Sequence, residues 1–134
     1  MRGRPCQFSR FESECLLSPN ATAERIRRLR SLGVIRGFHA SLNPVLLGLS
    51  VAAYIDVRLQ PGTTAQSFED AVMKLPGVVS MAILTGSFDV RLRAACKDQT
   101  DLVRLIETLR ARTGARETNS TVICREIETR NWNV

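Results

Sequence analysis

The stretch VVSMAILTGSFDVRLRAAC, residues 78–96, reads as two strands, VVSMAILT and FDVRLRAAC, joined at Gly86-Ser87 by a tight turn. A hairpin alone is common to many folds, so the order of its neighbours matters more. On its N-terminal side SVAAYIDVRL, residues 50–59, alternates, with Val51, Ala53, Ile55, Val57 and Leu59 on one face of a strand that Pro61-Gly62 ends. Thr63 or Thr64 then caps a helix whose apolar set, Phe68, Ala71, Val72 and Leu75, is spaced i, i+3, i+4, i+7, and Pro76-Gly77 stops it. On the C-terminal side Asp98 or Thr100 caps a second helix with Leu102, Leu105, Ile106 and Leu109 at the same spacing, closed by Gly114. A fourth strand, ETNSTVICREIE, and a tail, TRNWNV, follow.

The order strand, helix, strand, strand, helix, strand is the split βαβ arrangement, which places the chain in the α+β class with a ferredoxin-like βαββαβ domain. Right-handed crossovers put both helices on one face of an antiparallel sheet. The other face is left open, with Ala52, Tyr54, Met81 and Ile83 expected on it, and pairing with a second copy is the simplest way to cover it.

Upstream the pattern differs. In residues 17–44, LSPNATAERIRRLRSLGVIRGFHASLNP, Ser18 is an N-cap and Pro19 suits the first helical position, where its missing N–H costs nothing. The helix carries an apolar stripe, Ala23, Ile26, Leu29 and Leu32, and four arginines, Arg25, Arg27, Arg28 and Arg30, with Gly33 as its stop. VIRGFHASL is a short extended segment, and NPVLLG reads as a linker. Residues 1–17 have weak periodicity, with at most one short helix over residues 9–16. Domains of residues 1–43 and 44–134 follow.

Charge is placed unevenly. Residues 1–39 hold eight arginines against three glutamates, so +5 of the total +6 lies in the first third of the chain. A field so concentrated suits a polyanion, nucleic acid first, and from charge alone a basic, solvated tail with no partner fits equally well. No run spans a bilayer: the longest apolar stretch, VLLGLSVAAYI, is interrupted by Gly48 and Ser50. The N-terminus has no apolar signal region. Cys6, Cys15, Cys96 and Cys124 form no C-x-x-C pair, and His39 is the single histidine, which leaves a metal site short of ligands. No metal or cofactor is expected, Cys96 and Cys124 read as small buried hydrophobes, and a reduced, cytoplasmic setting fits.

The blocks LSPNATAERIRRLRSLGVIRGFHASLNPVLLG, LPGVVSMAILTGSFDVRLRA and ETNSTVI together resemble the Lrp/AsnC, or feast/famine, family of transcriptional regulators over about residues 17–128. The resemblance implies that the first block holds the recognition helix of a helix-turn-helix, followed by a strand leading into an effector domain. Ser18, Pro19, Asn20 and Thr22 then begin the helix that enters the major groove of double-stranded DNA, and Arg25 and Arg28 contact phosphate or base edges. It also implies an amino-acid pocket at contacts between dimers, beside the turn between the second and third strands. Gly86 would allow close backbone approach, Asp89 would pair with an α-ammonium group, and Thr85, Ser87, Thr118 and Ser120 would supply polar groups. A homodimer, with dimers arranged in a ring, is the implied assembly.

The sequence departs from that pattern in one place. Two bracing helices of typical length, about 10–14 residues each, do not fit in the 17 residues before Ser18, so the helix-turn-helix is expected to be a remnant. This opens a second reading: a stand-alone effector-binding and oligomerisation module that modulates full-length relatives. Catalysis is the weakest reading. No Ser/His/Asp or Cys/His set and no Gly-rich phosphate loop accompanies the lone His39.

Overall fold

A computed structural model describes residues 18–129. The suggested helix over residues 9–16, any bracing helix, Cys6, Cys15 and most of the tail lie outside the described residues. The chain divides into two compact units, with the break after Ser41.

The first unit contains helix α1, Pro19–Ser31. Ser18 is extended, and its Oγ accepts the Ala21 N–H at 3.2 Å, satisfying one of the donors a helix start leaves unpaired. Arg28 and Arg30 sit in the last turn, where the helix dipole favours cations. Gly33 follows with φ 77°. Thr22 is fully buried, Ala23, Ile26 and Leu29 are half-buried, and Leu32 is exposed. Arg30 stacks over the Phe38 ring at 5.7 Å. The expected extended segment after α1 forms no strand: residues 36–43 have no regular structure, because no neighbouring strand among the described residues takes up their backbone groups.

The second unit opens with a short 3-10 turn, Val45–Leu47, which Asn43 starts by accepting the Val45 N–H at 3.1 Å on Oδ1. Then come β1 (Val51–Leu59), α2 (Ala65–Val72), β2 (Val78–Ile83), β3 (Val90–Cys96), α3 (Gln99–Arg112) and β4 (Ala115–Val122). The four strands form one antiparallel sheet in the order β2-β3-β1-β4, the ferredoxin-like arrangement. Thr64 caps α2 by accepting the Ser67 N–H, and Asp98 caps α3 by accepting the Asp101 N–H.

The pleat sorts β1 residue by residue. Ala53, Ile55 and Val57, opposite Ala94, Leu92 and Val90, are buried beneath Phe68 and Val72 of α2 and Leu102, Leu105 and Leu109 of α3. Both helices therefore cover one face. Gly114 joins α3 to β4 with φ 83°, and a Cβ there would lie 2.6 Å from Thr63 Oγ1, so both backbone conformation and space require glycine. Cys96 is buried, and that burial pushes its thiol pKa up. Cys124 is exposed, contrary to expectation, because β4 ends at Val122 and the chain has left the sheet.

The open face is polar rather than apolar. Tyr54, Asp56 and Arg58 of β1 lie opposite Thr121, Asn119 and Glu117 of β4, and Arg93 and Arg91 of β3 face Tyr54 and Asp56. Arg91 grips Asp56 with two hydrogen bonds, Nε to Oδ1 at 2.7 Å and Nη2 to Oδ2 at 2.9 Å. Glu126, beyond β4, pairs with Arg93 and accepts the Tyr54 hydroxyl at 3.0 Å. Met81 and Ile83 are not on this face. They pair with Leu92 and Val90 on the helix side, because an irregularity between Val78 and Ser80 inserts one residue and reverses the alternation beyond it.

The Asp56–Arg91 pair gives a pH prediction. Hydrogen bonding from Arg91 holds the Asp56 carboxyl below the usual aspartate range, outweighing the opposing effect of burial. A carboxyl depressed on folding contributes stability that is complete above its unfolded value, about 3.9, and is lost as pH falls through the folded value. Urea midpoints should drop as pH is lowered from 7 to 3, and Asp56→Asn should drop less steeply. An unchanged acid limb in Asp56→Asn would mean that the pair contributes nothing.

Candidate functional site

The β2–β3 connection is a six-residue loop, residues 84–89, and not a tight turn at Gly86-Ser87. It is closed where the Leu84 N–H donates to the Asp89 carbonyl at 2.8 Å. The Asp89 N–H donates to Val57 O at 3.0 Å, and Asp89 Oδ2 accepts the Leu59 N–H at 2.8 Å. Gly86 has no left-handed φ, and a Cβ there would meet nothing, so its place in the loop does not depend on being glycine.

Thr85, Gly86, Ser87 and Asp89 are all exposed. Beside them lies an open cavity of about 370 Å³ with an apolar wall of Leu59, Pro61, Ile83 and Leu84, and Asp89 at its edge. Ile83 is 63% exposed, unusual for a large aliphatic side chain on the helix side of a sheet. An apolar wall beside the polar groups of Gln60, Thr63 and Asp89 suits a small molecule with an aliphatic part. Arg58 stacks over Phe88 at 5.3 Å on the opposite side of β1.

Thr118 and Ser120 share the helix-side face of β4, opposite Val57 and Ile55. The sheet order places β1 between them and β3, so one chain does not bring these hydroxyls to the loop. Thr118 Oγ1 accepts the Arg110 Nε–H at 2.9 Å. Neither Arg110 nor Arg58 stands out in the sequence, since both act across turns and strands and carry no local motif.

On α1 the predicted groups divide. Ser18 spends its hydroxyl on the cap, Pro19 holds the first helical position, and Asn20 is exposed. Thr22 is buried, and its hydroxyl has no partner among the described residues. Arg25 and Arg28 are exposed one turn apart, and with Ala21, Glu24, Leu29 and Leu32 they line a surface groove of about 520 Å³. Arg27 pairs with Glu24 at 2.6 Å in an exposed i, i+3 contact of small energetic weight. Among the described residues, no cluster of His, Cys, Asp and Glu could hold a metal, and no helix is long and apolar enough to cross a membrane.

Residues 52–132, more than half of the chain, match the Lrp/AsnC ligand binding domain. The chain is 32% identical over 118 residues to the leucine-responsive regulatory proteins of Escherichia coli (strain K12) and Klebsiella pneumoniae, covering 86% of this chain and 72% of each relative. Among solved structures, a Neisseria meningitidis transcriptional regulator in complex with L-Met superposes with a TM-score of 0.80 at 28% identity, over 88% of this chain and 78% of that one. Escherichia coli AsnC superposes with a TM-score of 0.81 at 18% identity, over 98% and 88%, which is a likeness of fold. These relatives are regulators rather than enzymes. With the βαββαβ sheet and its loop-side cavity in place, the matches make this chain a member of the Lrp/AsnC family of transcriptional regulators.

Proposed function

We propose that this chain is a DNA-binding transcriptional regulator that responds to an amino acid or a closely related small molecule. The observation that carries the effector half is the cavity beside the β2–β3 loop, where Leu59, Pro61, Ile83 and Leu84 line it together with Gln60, Thr63 and Asp89, and Thr85, Gly86 and Ser87 are exposed on the adjoining loop. The loop would hold the polar end of the ligand. Thr118 and Ser120 would reach it from a neighbouring copy, which fits their place on the far edge strand. A homodimer, extended to a ring of dimers, would build complete sites. Residues 44–134 would sense and assemble, and residues 1–43 would face DNA.

The DNA half is supported by α1. Ser18, Pro19 and Asn20 form a capped helix start, Arg25 and Arg28 are exposed along it, and Thr22 is buried where it can fix the helix orientation. Ligand binding would bias an assembly equilibrium and so change how these helices are presented. The second reading, a module acting through full-length relatives, would rest on the effector unit, which among the described residues holds the buried hydrophobic core.

Fluorescence anisotropy of the full chain on its own upstream DNA and on a scrambled duplex, across a salt series, tests the DNA half. Tighter binding to the upstream DNA with a steep salt slope supports it. Equal, weak binding to both overturns it and leaves the module reading.

A further inference from the structure

The sequence points Asp89 at the ammonium group of an effector, but its surroundings assign it different work. The β1–β3 ladder runs in register from Val51–Cys96 to Val57–Val90 and stops there. Asp89 then bonds with three groups. Its N–H donates to Val57 O, its carbonyl accepts from Leu84 N–H, and Oδ2 accepts from Leu59 N–H. The first and third bonds fix the start of β3 to the end of β1, and the second closes the loop. The carboxylate thus fills the place a strand carbonyl would take for Leu59, and a charged acceptor makes that bond a strong one.

The other side of the same backbone is also committed. β1 shifts register against β4 between Arg58 and Leu59, and the next N–H, that of Gln60, donates to Gly114 O at 2.8 Å. Gly114 in turn packs against Thr63, next to the cap of α2. Two consecutive peptide groups therefore join the loop to the α3–β4 junction.

We infer that Asp89 is a positioning residue: its carboxylate ties the effector loop to the end of β1 and transmits the loop's position to the Gly114 junction, without contacting the ligand. This rests on the reading that the loop holds the effector. Amide hydrogen exchange at Leu59, followed by NMR on the full chain, is compared with calorimetric titration of L-methionine in Asp89→Ala and Asp89→Asn. Loss of one charge-assisted bond should speed exchange at Leu59 and weaken L-methionine binding by about tenfold each in Asp89→Ala. Asp89→Asn keeps an acceptor oxygen and should rescue both. Protection kept but L-methionine binding lost in Asp89→Asn would make Asp89 a direct ammonium partner and overturn the inference. Unchanged Leu59 protection in Asp89→Ala would overturn it equally. If the unmodified chain binds no L-methionine, the effector reading fails for that ligand. The tie itself then stands or falls on whether Leu59 protection is lost in Asp89→Ala and kept in Asp89→Asn.

Discussion

Replacing Phe68 with alanine lowers the unfolding free energy of the effector unit by about 3–5 kcal/mol. Phe68 is the largest of the fully buried side chains among the described residues, and it sits on α2 against the β1–β3 face. Its removal takes away both the transfer energy of the ring and the contacts of Val72 and the strand residues around it. The neighbours cannot close the gap easily: α2 is only eight residues long and is fixed at its start by Thr64 and at its end by Met73, whose N–H donates to Glu69 O. Since domain stabilities are about 5–15 kcal/mol in total, this one change removes a large share. Urea denaturation followed by far-ultraviolet circular dichroism measures it. Phe68→Leu should recover more than half of the loss. A fall of less than about 1 kcal/mol in Phe68→Ala would mean that α2 does not anchor the core.

The double variant Arg25→Ala, Arg28→Ala should weaken DNA binding similarly on every sequence tested and flatten its salt dependence. Each phosphate contact contributes about 0.9 to the slope of log affinity against log salt, so losing two should reduce the slope by about 1.8. Both side chains are exposed on one side of α1, and neither takes part in the Glu24–Arg27 pair, so helix stability should change little. Anisotropy titrations from low to physiological salt, beside the unmodified chain, read the slope. An unchanged slope would remove these two arginines from the DNA contact. Loss of binding to one sequence only would instead make them base readers.

Much of the fold is legible because local chemistry and global order agree. Ser18 is a cap in sequence and in structure, Thr64 and Asp98 are the caps of the two pairs the sequence offers, and Phe68 and Val72 of α2 and Leu102, Leu105 and Leu109 of α3 are members of the periodic sets that face the core, while Leu75 lies beyond the end of α2. Gly114 marks a true junction. What escapes the sequence depends on register and on distant partners. One extra residue between Val78 and Ser80 moves Met81 and Ile83 to the other face, and no residue type in VVS signals it. Tyr54, Arg93 and Glu126 meet from three separate segments, so the polar character of the open face cannot be read from any one of them. Asp89 takes its expected ligand role from the family resemblance, and its bond within the sheet is not legible in the sequence. The N–H it accepts belongs to Leu59, 30 residues away, and only the sheet order brings the two together.

In the proposed regulator, ligand at the β2–β3 loop and DNA at α1 would be linked in one molecule. The most direct measurement is the affinity of the full chain for its upstream DNA, by anisotropy at fixed salt, with and without saturating L-methionine. Linkage of ordinary strength predicts a change of about fivefold or more in dissociation constant. Identical dissociation constants, with L-methionine shown by calorimetry to be bound, would contradict it.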